Sequence, residues 1–159
     1  MKSISHSVQI RIWLLSTIIM VILMILIGGV TRLTDSGLSM VEWRPLWGFL
    51  PPISQFEWNR VFELYMKSPE YIFKNKGMSL EEFKEIFFWE YFHRLWGRLI
   101  GIIFIIPLLF FIIVKKIPKS ILSKLFLILF LGGLQGFIGW WMVKSGLVND
   151  PTVSQYRLT

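Results

Sequence analysis

Glu90, His93, Arg94 and Arg98 fall at positions i, i+3, i+4 and i+8, with Gly97 and Gly101 on the same register. On a helix turning 100° per residue, these six positions share about 140° of arc. An imidazole at His93 can ligate a metal, most naturally a haem iron inside a helical bundle. Glu90, one turn away, puts a carboxylate within reach of the same ligand. Arg94 and Arg98 can pair with propionate carboxylates, which suit the guanidinium fork. Gly97 and Gly101 let a helix or a flat ligand come close to the backbone. A plainer reading stands beside this one. Glu90, Arg94 and Arg98 can form an ion-pair ladder at a membrane boundary, with His93 snorkelling to the interface. The other histidine, His6, lies in the short amino-terminal tail and is read as solvated.

A stripe of this kind needs an element to carry it. Mean hydropathy is +0.59, and 54% of the 159 residues are hydrophobic against 17% charged. That excludes a disordered or an ordinary soluble chain. No charge interrupts residues 12–30, and charge-free runs cover 99–114 and 125–143. About 20 apolar residues cross a bilayer as a helix. Three spans are expected, at about 12–30, 87–114 and 121–143. The second reaches full length only by including Glu90, His93, Arg94 and Arg98. Charged groups inside a span are costly and normally face a partner, a cavity or a cofactor. The first run is too long for a signal-peptide core, and no small-residue cleavage site follows it.

The net charge is +7, but it is not a nucleic-acid footprint. Six of the basic residues (Lys2, Arg11, Lys115, Lys116, Lys119 and Lys124) flank the apolar runs in two short pieces. Their density places the amino terminus and the lysine-rich connection on the cytoplasmic or matrix side. The loop 31–86 and the carboxyl tail then face the opposite side. With no cysteine present, a disulfide clamp in that loop is excluded. Two capping boxes predict helices within it. Ser54 with Glu57 opens one that carries Trp58, Val61, Phe62 and Tyr65 on one face, read as lying in the membrane interface. Ser79 with Glu82 opens one that runs into the second span. The third span has a small-residue seam of Gly132, Gly133, Gly136 and Gly139 with Gln135, suited to helix packing or to close approach by a planar cofactor.

Four blocks of residues carry a family resemblance. Gly28-Gly29-Val30-Thr31-Arg32-Leu33-Thr34-Asp35-Ser36-Gly37-Leu38-Ser39-Met40-Val41, with Trp43-Arg44-Pro45 and Leu50-Pro51-Pro52, resembles the exit from the first span of haem A synthases. Glu82-Phe83-Lys84 through Trp89-Glu90-Tyr91-Phe92-His93-Arg94-Leu95-Trp96-Gly97-Arg98 resembles their second span. Gly132-Gly133-Leu134-Gln135-Gly136 through Gly139-Trp140-Trp141-Met142-Val143-Lys144-Ser145-Gly146-Leu147 resembles the third, and Val153-Ser154-Gln155-Tyr156-Arg157-Leu158 the approach to the fourth. The variant is the mitochondrial and alphaproteobacterial one, which lacks a cysteine pair in the outer loop.

The resemblance implies an integral membrane oxidoreductase of two tandem four-helix halves. That enzyme oxidises a ring methyl of haem O to a formyl group, giving haem A for cytochrome oxidase. His93 would be an axial ligand of haem iron, with haem O as substrate or haem B as cofactor, and Glu90 the acidic residue needed for turnover. Arg94, Gly97, Arg98 and Gly101 join the cofactor-binding set from geometry alone. The expected fold is all-α: three transmembrane helices of an incomplete four-helix haem-binding bundle, plus an extracytoplasmic loop with short helices. Ending at Thr159, the chain reads as an amino-terminal fragment, inactive unless a carboxyl-terminal half or second chain completes it. Expected partners are membrane lipid, haem O and haem O synthase, with no nucleic acid. The expected location is the bacterial inner membrane, or the mitochondrial inner membrane in a eukaryote. Two other functions compete: a haem-binding electron-transfer subunit without methyl oxidation, and a non-enzymatic helical scaffold. Glu90 separates the first pair, because electron transfer needs no carboxylate beside the haem.

Overall fold

A computed structural model of the chain describes residues 6–42 and 49–147. The side chain of His6, the Trp43-Arg44-Pro45 segment and the 153–158 block lie outside the described residues. Five helices follow in order: α1 (His6–Leu33), α2 (Gln55–Tyr65), α3 (Pro69–Phe73), α4 (Leu80–Ile113) and α5 (Lys119–Gly146). The described residues contain no strand. Three of these helices, α1, α4 and α5, are long and apolar enough to cross a membrane, and the protein is a multi-pass membrane protein.

Helix α4 contains 34 residues, so it is about 51 Å long against a hydrocarbon core of about 30 Å. Roughly 20 residues counted back from Ile113 reach residue 94. The part before that point, with Glu90 and His93 at its edge, is length beyond what a crossing requires. The second span and the Ser79-capped helix are therefore one continuous element. Its start is the expected capping box: the Ser79 side chain accepts from the Glu82 amide, and the Glu82 carboxylate accepts from the Ser79 amide.

Helices α1 and α4 pack along their lengths and are joined by hydrogen bonds in both directions. Trp96 Nε1 donates to the Met20 carbonyl at 3.0 Å. Trp13 Nε1 donates to the Ile103 carbonyl at 3.0 Å. The second bond has a clear cause. Pro107 lies inside α4 and has no N–H, so the carbonyl four residues earlier loses its helical donor. That carbonyl belongs to Ile103, and the indole of α1 satisfies it. Below this level Ile10, Trp13, Phe104, Leu108, Phe111 and Leu125 form a core that ties α1, α4 and α5 together.

At the other end α1 stops at Leu33, and Asp35 turns into the left-handed region with φ 49°. The Ser36 amide reaches back to the Thr31 carbonyl at 3.0 Å, a Schellman-type close. The chain then folds over the top of α4. A second core of Val61, Tyr65, Phe83 and Phe87 joins α2 to α4. Trp58, Val61, Phe62 and Tyr65 do share one face, and that face lies on Phe83 and Phe87 of α4; Phe56, 78% exposed, points away from it. The short α3, capped by Ser68 with Pro69 at its first position, completes the cap.

Candidate functional site

Glu90 is 2% exposed, which for a carboxylate demands partners. It has three. Ser39 Oγ donates to Oε2 at 2.7 Å, and the Met40 amide donates to the same oxygen at 2.7 Å. Arg94, one turn along α4, donates to Oε1. Arg94 also donates to the Met40 carbonyl at 3.3 Å. The turn after α1 thus presents a hydroxyl, an amide and a carbonyl to α4. Ser39 is itself held in the turn, its Oγ also 3.1 Å from the Ser36 carbonyl oxygen. Gly146 of α5 braces the same turn from behind, since a Cβ there would lie 2.9 Å from Leu38.

His93 faces α1. A Cβ added at Gly28 would stand 3.2 Å from its Nε2, tighter than ordinary van der Waals contact. Gly28 therefore makes room for the imidazole itself, which packs against α1 where any larger residue would crowd Nε2. Gly97 meets α1 at Met24, whose Cε would lie 3.4 Å from an added Cβ, while Gly101 has open space around it. Arg98 sits over the Phe49 ring at 5.5 Å, and the Phe49 carbonyl accepts from the Tyr91 hydroxyl at 2.7 Å. Ser39, Met40, Glu42, Arg60, Arg94 and Arg98 line a cavity of about 270 Å³ at this end. That is at the lower limit for a small-molecule pocket: room for a carboxylate-bearing edge, not for a whole macrocycle. Across the cavity Arg60 grips Glu42 with bonds of 2.7 and 3.1 Å, and that pairing holds its guanidinium above the usual range.

The structure thus brings Glu90 and Arg94 into one buried pair, sets His93 against α1, and puts Arg98 at the cavity. The first rung of the ion-pair ladder is present, and the imidazole is seated on Gly28 of α1. The glycine seam of α5 meets nothing within 4 Å at Gly132, Gly133, Gly136 or Gly139. Three features escaped the sequence reading. Ser39 and Gly28 stood in the recognised string without an assigned role, and the signal for both was a small residue near a glutamate and a histidine that needed neighbours. The third is a buried Glu70, 3% exposed, hidden in a loop that reads as polar.

Among the described residues no group of three or more His, Cys, Asp or Glu side chains could hold a bare metal ion. A haem would be held by a single imidazole, that of His93, with Arg98 and the cavity at its edge.

A family model described as cytochrome oxidase assembly protein matches residues 11–159. The chain is 58% identical over 150 residues to the heme A synthase of Nitrosospira multiformis, covering 94% of this chain and 42% of that protein. It is 52% identical over 158 residues to the heme A synthase of Nitrosomonas eutropha, covering 99% and 44%. With the heme A synthase of Parvibaculum lavamentivorans the identity is 48% over 146 residues, covering 92% and 42%. The chain therefore spans less than half the length of these relatives. No solved structure matches it.

Proposed function

Since the chain belongs to the COX15-CtaA family of cytochrome oxidase assembly proteins, we propose that it supplies the haem-facing site of a haem A synthase, which oxidises a ring methyl of haem O to a formyl group. The observation that carries this reading is Glu90, a buried carboxylate held by Ser39, the Met40 amide and Arg94 one helical turn from an imidazole seated on Gly28 of α1. A purely structural ladder does not require the three-donor clamp. An electron-transfer site requires no fixed negative charge.

Each residue then has a task. The haem, when bound, supplies the redox chemistry at its iron. His93 holds the macrocycle in place from the α4 side. Oxidation of a methyl group leaves positive charge on that carbon, and a pre-positioned carboxylate stabilises it without reorganising. Glu90 is pre-positioned in that sense, because its three donors stop it rotating. Arg98 and the cavity receive the propionate edge, while Arg94 serves Glu90 first. Gly101, with open space around it, keeps α4 thin where the ring lies, while Gly97 packs on Met24 of α1. The loop side faces the periplasm of a bacterial inner membrane, or the intermembrane space in a eukaryote, with the amino terminus on the cytoplasmic or matrix side. Haem O is received from haem O synthase, and the product serves cytochrome oxidase.

The test is the haem composition of membranes in which the chain is produced together with a haem O source and the matching carboxyl-terminal half. Haem A is expected with the native chain and lost with Glu90→Gln at equal protein amount. The haem absorbance of the purified protein is expected to fall sharply with His93→Ala. Undiminished haem A in Glu90→Gln would overturn the role of Glu90 and favour the electron-transfer reading. Unchanged absorbance in His93→Ala would overturn the ligand assignment.

A further inference from the structure

Glu70, the second residue of α3, is a buried acid that the site described so far does not use. One of its carboxyl oxygens, Oε2, is buried without any hydrogen-bond partner. The Tyr65 hydroxyl is among the groups acting on this carboxyl. Tyr65 is fully buried, with its ring 4.9 Å from that of Phe83, and its hydroxyl accepts from Asn75 Nδ2 at 2.7 Å. The Lys74 ammonium at the end of α3 lies 3.8 Å from Asp35, so α3 is tied to the turn that follows α1. The same turn gives Ser39 and the Met40 amide to Glu90. Two buried carboxyl groups therefore flank one turn, each within the other's electrostatic field.

Their surroundings are unequal. Glu90 receives three donors, one of them a guanidinium, whereas Oε2 of Glu70 receives none. A buried carboxyl that lacks donors and lies beside a second carboxyl keeps its proton. We propose that Glu70 is a positioning residue for the site, held as a neutral acid so that the Glu90–Arg94 pair works beside no second negative charge, and that its ionisation turns the site down. This rests on the catalytic reading of Glu90. The groups facing Glu70 are Tyr65 of α2, Glu90 of α4, Lys74 and Asp35. Burial first, then the charge of Glu90, push the Glu70 carboxyl up to about 7; Tyr65 and Lys74 oppose that shift and Asp35 adds to it. The proton is thus lost as pH rises through neutrality, and activity is expected to fall in the same window.

Infrared difference spectra of the chain in its membrane test this directly. A protonated-carboxyl stretch, absent in Glu70→Gln, is expected to titrate with a midpoint near 7 instead of the usual 4.3 or so. Removing the neighbouring charge with Glu90→Gln is expected to lower that midpoint by about one unit, and Tyr65→Phe to raise it. In the haem A assay, the alkaline fall is expected to vanish in Glu70→Gln, which imitates the neutral acid. A midpoint in the ordinary carboxyl range, or one unmoved by Glu90→Gln, would overturn the proposal. So would an alkaline limb retained in Glu70→Gln. The titration in the native chain and in Glu90→Gln stands even where Glu70→Gln does not accumulate. Failure of the catalytic reading looks different, because haem A then survives Glu90→Gln while the infrared band still shifts.

Discussion

At the scale of single residues the site rests on small side chains as much as on charged ones. The i, i+3, i+4 pattern from Glu90 to Arg94 was legible, because helical geometry places these groups on one stripe whatever surrounds them. Their partners were not. Ser39 reaches Glu90 only because Asp35 reverses the chain, and nothing in a run of Ser, Gly and Leu announces which acid it will meet. Gly28 shows the difference most clearly. In a helix Ala is favoured over Gly by up to about 1 kcal/mol, so Gly28→Ala would strengthen an isolated α1. Here the added Cβ crowds His93 Nε2 at 3.2 Å. Haem loading of the purified protein is expected to drop several-fold in Gly28→Ala and further in Gly28→Val, with overpacking offsetting the gain in helix propensity. Native absorbance in Gly28→Val would show that Nε2 does not face the ligand.

At the scale of elements, apolar runs and capping boxes identified three long helices and the start of α2, since each signal is local. Helix α3 escaped, because five residues are too few for a periodic pattern and its cap depends on Ser68 meeting the Tyr71 amide. The orientation of α2 was also not local information. Its aromatic face suits an interfacial helix by composition, yet α4 is long enough to offer Phe83 and Phe87 as a protein surface for it. Phe83, fully buried, holds this junction. Truncating a buried Phe to Ala costs about 3–5 kcal/mol, comparable to the whole stability of a small cap. In Phe83→Ala the loop 49–79 is expected to become sensitive to added protease while α4 and α5 stay protected by the membrane. A loop equally resistant in Phe83→Ala would mean the cap is held elsewhere.

At the scale of the whole molecule, charge and shape divide the protein into two ends. The buried carboxyls, the cavity and the cap lie at the loop end; Lys115, Lys116, Lys119 and Lys124 lie at the other. Short basic connections set topology, so replacing all four lysines with Gln is expected to produce a mixed population in which part of the loop 31–86 sits on the wrong side. Reporter fusions at the loop and at the lysine connection read that split directly; a single unchanged orientation would assign topology to other features. One more consequence follows from the bond between Trp13 and the Ile103 carbonyl. An unsatisfied carbonyl in lipid costs several kcal/mol, and Pro107 leaves α4 with one that α1 satisfies. α4 is thus a poor solitary traveller through the insertion machinery. α1 is synthesised first and waits in the bilayer with its indole ready, so the order in which the ribosome delivers the two helices is also the order in which they can be assembled.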